Sequence, residues 1–318
     1  MKEKRMKKCF ARRGILLCLL FVLIAGSMPV EAYAASKTYP YYGNHLTGEN
    51  KALYNHLKKA WAEGKTNPIT TFAYSSSISA AGMWVLNDYP QYFWCNTYSS
   101  GFYGGYCTFR MVTWRNAIRK QAAFARRLKN VVSQLKRKSK GKSQAEKAVI
   151  IHDWICRNCR YVSAEFDQSA YGVLMKKKAV CAGYARCYKL LCDRMGIKCI
   201  CVNVYLNGVP HLFNYVKVGG KWYLIDCTND DQANYPRPLR DFCLAGSRST
   251  GAYLATSCGV FLPDLSDEDY PLKDRTHVLT MSSGFPAVNY SVYDYDDYYD
   301  SGYDYGYGYG DGYGYDAA

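Results

Sequence analysis

The segment HLFNYVKVGGKWYLID, residues 211–226, constrains this chain more than any other. Two runs rich in β-branched and aromatic residues are separated by only Gly219 and Gly220, the spacing of a tight hairpin. A two-residue loop leaves the register no freedom. Val218 faces Lys221, and stepping outward brings Phe213 opposite Asp226. Side chains alternate between faces along a strand, so His211 shares the face of Phe213, and directly opposed residues also share a face. His211 and Asp226 are therefore expected as diagonal neighbours on one side of the ribbon, with backbones about 7–8 Å apart. That separation suits an imidazole bonded to a carboxylate.

The strands of the hairpin are expected over His211–Val218 and Lys221–Asp226, with a third strand over Ile197–Leu206 and a turn at Asn207-Gly208. Two helices precede them. Ser143-Gln144-Ala145-Glu146 has the S-x-x-E form of a capping box and starts a helix running to about Cys159, with Ala148, Ile151, Trp154 and Ile155 as its apolar stripe. His152 and Asp153 fall off that stripe. As neighbours they diverge by about 100°, and the spacing predicts that they do not act as a pair. The second helix starts near Cys181 and stops at Gly196, a natural C-terminal cap. Helices first and antiparallel strands after them predict an α+β fold.

Cys181 opens the stretch CAGYARCYKLLCDRMGI directly after three lysines. A helix N-terminus carries partial positive charge, which lowers a thiol's pKa, and Ala182 and Gly183 leave room around it. Paired with an oriented histidine, such a cysteine rests as a thiolate ready to attack an acyl carbon. The free N–H groups of the helix start are suited to hold an oxyanion. Cys181 as nucleophile, His211 as base and Asp226 as orienting carboxylate form one reading. A disulfide half, a strand-end polar contact and a turn-stabilising carboxylate are the structural alternatives for the same three residues.

The remainder of the chain sets the context. A basic segment from Lys2 to Arg13, an 11-residue apolar run Ile15–Ala25 and the triplet Ala32-Tyr33-Ala34 have the layout of a secretory signal peptide cleaved near Ala34. The run is shorter than the roughly 20 residues a membrane span takes, so the mature protein is expected to be secreted or cell-wall associated and not an integral membrane protein. Of the 14 cysteines, Cys9 and Cys18 fall in that leader. Oxidising surroundings permit the others to pair, while Cys181 is expected to be free. Cys156-x-x-Cys159 with Cys199-x-Cys201 has the look of a four-thiolate zinc site, but disulfides or core thiols are the preferred reading, and no metal or cofactor is assigned.

Residues 35–142 are expected as an aromatic-rich N-terminal region, with LNDYPQYFW (86–94) packed inside, followed by a basic amphipathic helix. Between Arg110 and Lys147 stand 13 basic residues and one acid, Glu146. Trp114, Ile118, Ala122, Ala125, Leu128, Val132 and Leu135 recur there at helical spacing, and Lys136–Lys142 reads as a loop. The net charge of +15 in an exported chain points to anionic wall polymers or membrane surfaces as partners rather than to nucleic acid. The helix itself reads first as amphipathic with a solvated basic face, with polyanion binding as the alternative. A compact domain is expected over 143–288. From 289 to 318 the chain reduces to Tyr, Asp and Gly, with seven Asp and no Lys or Arg, a disordered composition.

Three stretches in order resemble a known family: EKAVIIHDWICRNCRYV, AYGVLMKKKAVCAGYARCYKLLCDRMGI and HLFNYVKVGGKWYLIDCTND. Together, over about residues 143–230, they resemble the transglutaminase-like (papain-fold) superfamily, in its bacterial exported branch. The family pattern C-x-G-Y-A falls on Cys181, Gly183, Tyr184 and Ala185. H-x-W-N falls on His211 and Asn214, with Phe213 in place of the usual Trp, and W-Y-x-x-D-x-T on Trp222, Tyr223, Asp226 and Thr228. The resemblance implies a papain-like core, with the nucleophile at a helix N-terminus packed on an antiparallel sheet. It implies Cys181, His211 and Asp226 as a catalytic triad working through a thioester on a protein or peptide substrate. Both hydrolysis and amine transfer occur in the family. The alternative function is a non-catalytic wall-binding or scaffold module with a vestigial triad.

Overall fold

The hairpin around Gly219-Gly220 is the centre of the larger sheet. Both glycines have positive φ, 57° and 85°, the left-handed backbone that a two-residue reversal needs and that glycine adopts without strain. Val218 pairs with Lys221, and the ladder runs outward to Asn214 opposite Ile225. The computed structural model describes residues 38–64, 70–73, 80–103, 106–113, 117–206, 209–236, 238–250, 254–256 and 260–276. The expected signal peptide, Trp114, the turn Asn207-Gly208 and the Tyr-rich tail lie outside the described residues.

In chain order the elements are helices α1 (Tyr41–His45) and α2 (Gly48–Ala62), strand β1 (Thr70–Ala73), α3 (Ala81–Asp88), β2 (Cys95–Tyr103) and β3 (Tyr106–Thr113). Then come α4 (Gln121–Lys138), α5 (Gln144–Asn158), β4 (Arg160–Tyr161), β5 (Lys178–Ala179) and α6 (Cys181–Met195). The chain continues through β6 (Cys199–Leu206), β7 (Val209–Val218), β8 (Lys221–Ile225), α7 (Cys227–Asp230), β9 (Cys243–Ala245) and β10 (Leu254–Thr256). The larger sheet has the order β10-β6-β7-β8-β9 and is antiparallel throughout. A three-stranded sheet, β1-β3-β2, lies in the N-terminal region. Helices and an antiparallel sheet in one chain make the fold α+β.

The two helices before the sheet begin and end where their residues dictate. At α5, Ser143 accepts from the Glu146 N–H at 3.2 Å, and Glu146 accepts from the Ser143 N–H at 2.8 Å, closing the capping box. At α6, Gly196 takes φ 75° and ends the helix. Helix α6 lies against β6 and β7, burying Tyr184, Cys187, Tyr188, Leu190 and Leu191. The buried apolar cluster is continuous from Tyr41 in α1 to Val260, and Tyr92, Phe93 and Trp94 belong to it.

The basic helix differs from the expectation in two ways. Strand β3, hydrogen-bonded to both β1 and β2, ends at Thr113, just before the expected stripe begins. Regular helix begins only at Gln121, after a 3-10 turn over Ile118–Lys120, and it continues through Lys138, so Lys136–Lys138 are helical rather than loop. The buried stripe is Phe124, Leu128, Val131, Val132 and Leu135, whereas Ile118 is 43% exposed and Ala122 is exposed. Phe124 decides the rotation of the helix. One aromatic ring buries far more apolar area than the two alanines that fit the other stripe.

Candidate active site

The hairpin register delivers what it predicts: His211 Nε2 lies 2.7 Å from Asp226 Oδ2. With Nε2 taken by the carboxylate, the other ring nitrogen is left for Cys181, whose thiol feels the charge of the imidazole and the Leu212 backbone N–H. Cys181 is the first residue of α6 and is partly exposed, so the sulfur is reachable from solvent. No side chain caps this helix start. The first backbone hydrogen bonds run from Gly183 and Tyr184 to the Val180 carbonyl, and the positive end of the helix is aimed at the sulfur.

Electrostatics favour the charged pair. Burial alone would raise the Cys181 thiol, but the His211 hydrogen bond and charge, together with the Leu212 N–H, hold it below the ordinary thiol range. Burial likewise pulls His211 down, and the Asp226 carboxylate and the Cys181 sulfur overcome this, raising the imidazole to about 10. Both shifts favour the thiolate–imidazolium form of the pair.

Asp226 is buried and its oxygens are fully used. Besides His211, it accepts from the backbone N–H groups of Thr228 at 3.0 Å and Asn229 at 3.2 Å, and from Asn229 Nδ2 at 2.7 Å. It is the N-cap of the short helix α7, and its own N–H donates to the Phe242 carbonyl at 3.0 Å. The carboxylate thus caps a helix and faces the imidazole with no freedom to turn away.

Two residues hold Cys181 and His211 in register with each other. Asn214 is buried on β7, and its Nδ2 donates to the Ala185 carbonyl of α6 at 3.1 Å and the Ile200 carbonyl of β6 at 3.2 Å. One amide therefore pins the helix carrying Cys181 to the strand carrying His211. Gly183 lets the helix start approach the chain before it. A Cβ at that position would stand 2.1 Å from the Asp167 carbonyl oxygen, which also accepts the Val180 N–H.

Comparison with known proteins places this architecture. Residues 129–227 match the family described as the transglutaminase-like superfamily, an interval that contains Cys181, His211 and Asp226. Over those residues the chain is similar to the transglutaminase-like superfamily. Its transglutaminase-like region is 29% identical over 104 residues to the kyphoscoliosis peptidase of Mus musculus, covering 27% of this chain and 16% of that protein. The Homo sapiens kyphoscoliosis peptidase is 29% identical over 101 residues, covering 26% and 15%. A solved structure from Cytophaga hutchinsonii, described as a candidate cysteine protease, aligns at 15% identity with a TM-score of 0.29, covering 42% of this chain and 61% of that one. The chain thus spans a small fraction of the length of the mammalian relatives it matches.

One expectation about this transglutaminase-like core is overturned. His152 and Asp153 do interact: His152 Nδ1 lies 3.1 Å from Asp153 Oδ1, while Nε2 lies 3.0 Å from Asp230 Oδ2. The 100° divergence applies to the Cβ directions, and a side chain folding back along the helix closes the gap when burial leaves it no water. The nine cysteines whose side chains are described, Cys181 among them, are all free thiols. The capping role of Asp226 was legible in Asp226-Cys227-Thr228-Asn229, an N-cap residue ahead of two small polar residues. The bridging by Asn214 had no such signal, because its partners are backbone carbonyls of distant elements.

Proposed function

We propose that this protein is a cysteine-dependent acyl-transfer enzyme in which Cys181 is the nucleophile, His211 the acid and base, and Asp226 the carboxylate that orients the imidazole. The observation that carries the reading is the 2.7 Å hydrogen bond between His211 and Asp226, with Cys181 at a helix N-terminus within the electrostatic reach of that imidazole. The thiolate attacks the acyl carbon of a peptide or side-chain amide. The oxyanion that forms is met by the free N–H groups of the α6 start. His211 then gives its proton to the leaving nitrogen, and the C–N bond breaks to leave a thioester on Cys181. In the second half, His211 takes a proton from water or from an amine as it attacks, and the restored thiolate leaves.

Water as acceptor makes the enzyme a peptidase, and an amine makes it an amide acyltransferase. The mammalian relatives are peptidases by name, which favours hydrolysis. The leader-like N-terminus supports export, and the lysines and arginines on the exposed face of α4 suit an anionic wall polymer as the place of work. Among the described residues no helix is long and apolar enough to cross a membrane. The test is a labelled glutamine peptide incubated with and without a primary amine. The expected result is release of hydrolysis product or ammonia without amine incorporation, abolished in Cys181→Ser. Undiminished turnover by Cys181→Ser overturns the assignment, and amine incorporation moves it to the transferase.

A further inference from the structure

Behind Asp226 lies a second set of reactive side chains that the triad does not use. His152 and Cys156 stand one turn apart on α5, and Cys227 and Asp230 come from α7. The ligating atoms of His152, Cys156 and Cys227 all lie within 4.8 Å of one another. These residues are closed to solvent, with His152 and Asp230 at 0%, Cys227 at 3% and Cys156 at 6% exposure.

We propose that His152 Nε2 and the thiolates of Cys156 and Cys227 form a three-ligand site for a divalent ion of the zinc class. Two sulfurs and one imidazole nitrogen are donor types that such an ion takes. Tetrahedral bonds of about 2.3 Å to sulfur and 2.0–2.1 Å to nitrogen put neighbouring S and N ligands roughly 3.5 Å apart. Cys156 Sγ stands 3.8 Å from His152 Nε2. Asp230 Oδ2 stands 3.0 Å from the same nitrogen and also accepts the Phe242 N–H at 3.2 Å, so it lies beside the three donors.

The outer contacts fit the same reading. An imidazole that ligates through Nε2 carries its proton on Nδ1, and metal-bound histidines ordinarily give that proton to a carboxylate. Asp153 Oδ1 is there at 3.1 Å, and the Asp153 carboxylate is fixed by Arg240 through contacts of 2.6 and 3.2 Å. Asp230 Oδ1 is oriented by the backbone N–H groups of Asp241 and Phe242, both at 3.1 Å. The Cys243 thiol also borders the imidazole. Ion binding displaces two thiol protons and the Nε2 proton where they are present, so uptake releases protons.

The consequence is positional. Cys227 follows Asp226 directly in the chain, so an ion held by Cys227 together with His152 and Cys156 would tie the start of α7 to helix α5. The carboxylate that faces His211 would then be braced from behind. This role is independent of whether Cys181 turns over an amide or not, since its readout is metal content.

The experiment uses the full chain, reduced, stripped with a chelator and desalted. Titration with Co(II) is expected to saturate at one equivalent, with the visible bands of tetrahedral cobalt and ultraviolet thiolate-to-cobalt charge transfer, both abolished by added zinc. Cys181→Ser retains this signal, and Cys156→Ser and Cys227→Ser lose it. Because either substitution in the core can impair folding, alkylation of the unmutated protein is read by peptide mass spectrometry. Zinc is expected to protect Cys156 and Cys227 at least tenfold and to leave Cys181 reactive. The proposal is overturned if the folded, reduced chain retains no metal, or if its cobalt spectrum is octahedral. It is also overturned if Cys181→Ser removes the signal, or if the protein as purified carries a Cys156–Cys227 disulfide.

Discussion

His211 Nε2 lies 2.7 Å from Asp226 Oδ2, although the two residues belong to different elements, one on β7 and one capping α7. The contact exists because a two-glycine turn leaves the strands one possible pairing. What this bond does for the neighbouring thiol is the first thing to test.

Asp226→Asn preserves the shape of the side chain and removes its charge. His211 then loses the interaction that holds its pKa up, and the Cys181 thiolate loses its imidazolium partner. The iodoacetamide reaction of Cys181 is expected to shift to higher pH. Turnover should fall by about 10²–10⁴-fold, the range seen when an orienting carboxylate is removed. An unchanged alkylation profile would falsify the role given to Asp226.

The pH dependence of the unmutated protein has two limbs. Cys181 lies below the ordinary thiol value of about 8.5, so alkylation is expected to begin on the acid side of that value. Turnover needs imidazolium to protonate the leaving nitrogen, so it is lost as pH rises through about 10, where His211 deprotonates. Stability follows the same group. His211 has its folded pKa raised, so its contribution is complete below about 6.5 and disappears toward pH 10. The denaturant midpoint is expected to drop across that window, and to drop less in Asp226→Asn.

Asn214→Ala removes the amide that joins α6 to β6 and β7. The loss leaves two buried carbonyls short of a donor, at a cost of about 1–3 kcal/mol. Urea denaturation measures it. The rate of Cys181 alkylation at pH 6 should fall as well, because the distance between helix and strand is no longer fixed. Loss of stability with an unaltered alkylation rate would show that Asn214 supports the fold but not the site.

Gly183→Ala places a methyl group 2.1 Å from the Asp167 carbonyl oxygen. Backbone has to move, and forcing a group into a packed interior costs roughly 1–3 kcal/mol. A displaced helix start also carries Cys181 away from His211. Both a lower thermal midpoint and slower thiol labelling at acidic pH are expected, whereas Gly141→Ala, where no atom lies within 4 Å, should leave the thiol unaffected apart from the strain of its positive φ.

Much of this molecule could be read from the chain itself, and the reason is short range. The Gly219-Gly220 turn, the capping box of Ser143 and Glu146 and the Gly196 stop are all local, each set by backbone geometry within a few residues. Strand parity then carries that local information to the His211–Asp226 pair. The placement of Cys181 at a helix start came from the same kind of signal.

Other relations depended on the third dimension. The face that α4 buries turned on where the Phe124 ring finds space, a question of volume that helical spacing alone leaves open. Regular helix starts only at Gln121, after a 3-10 turn over Ile118–Lys120, although Ile118 fits the helical spacing. His152 meets Asp153 and Asp230 because burial closes its nitrogens to solvent. Turn length, caps and strand parity determined the partners of Asp226. Packing decided everything that reaches it from across the fold, because those contacts join residues whose separation along the chain carries no periodic signal.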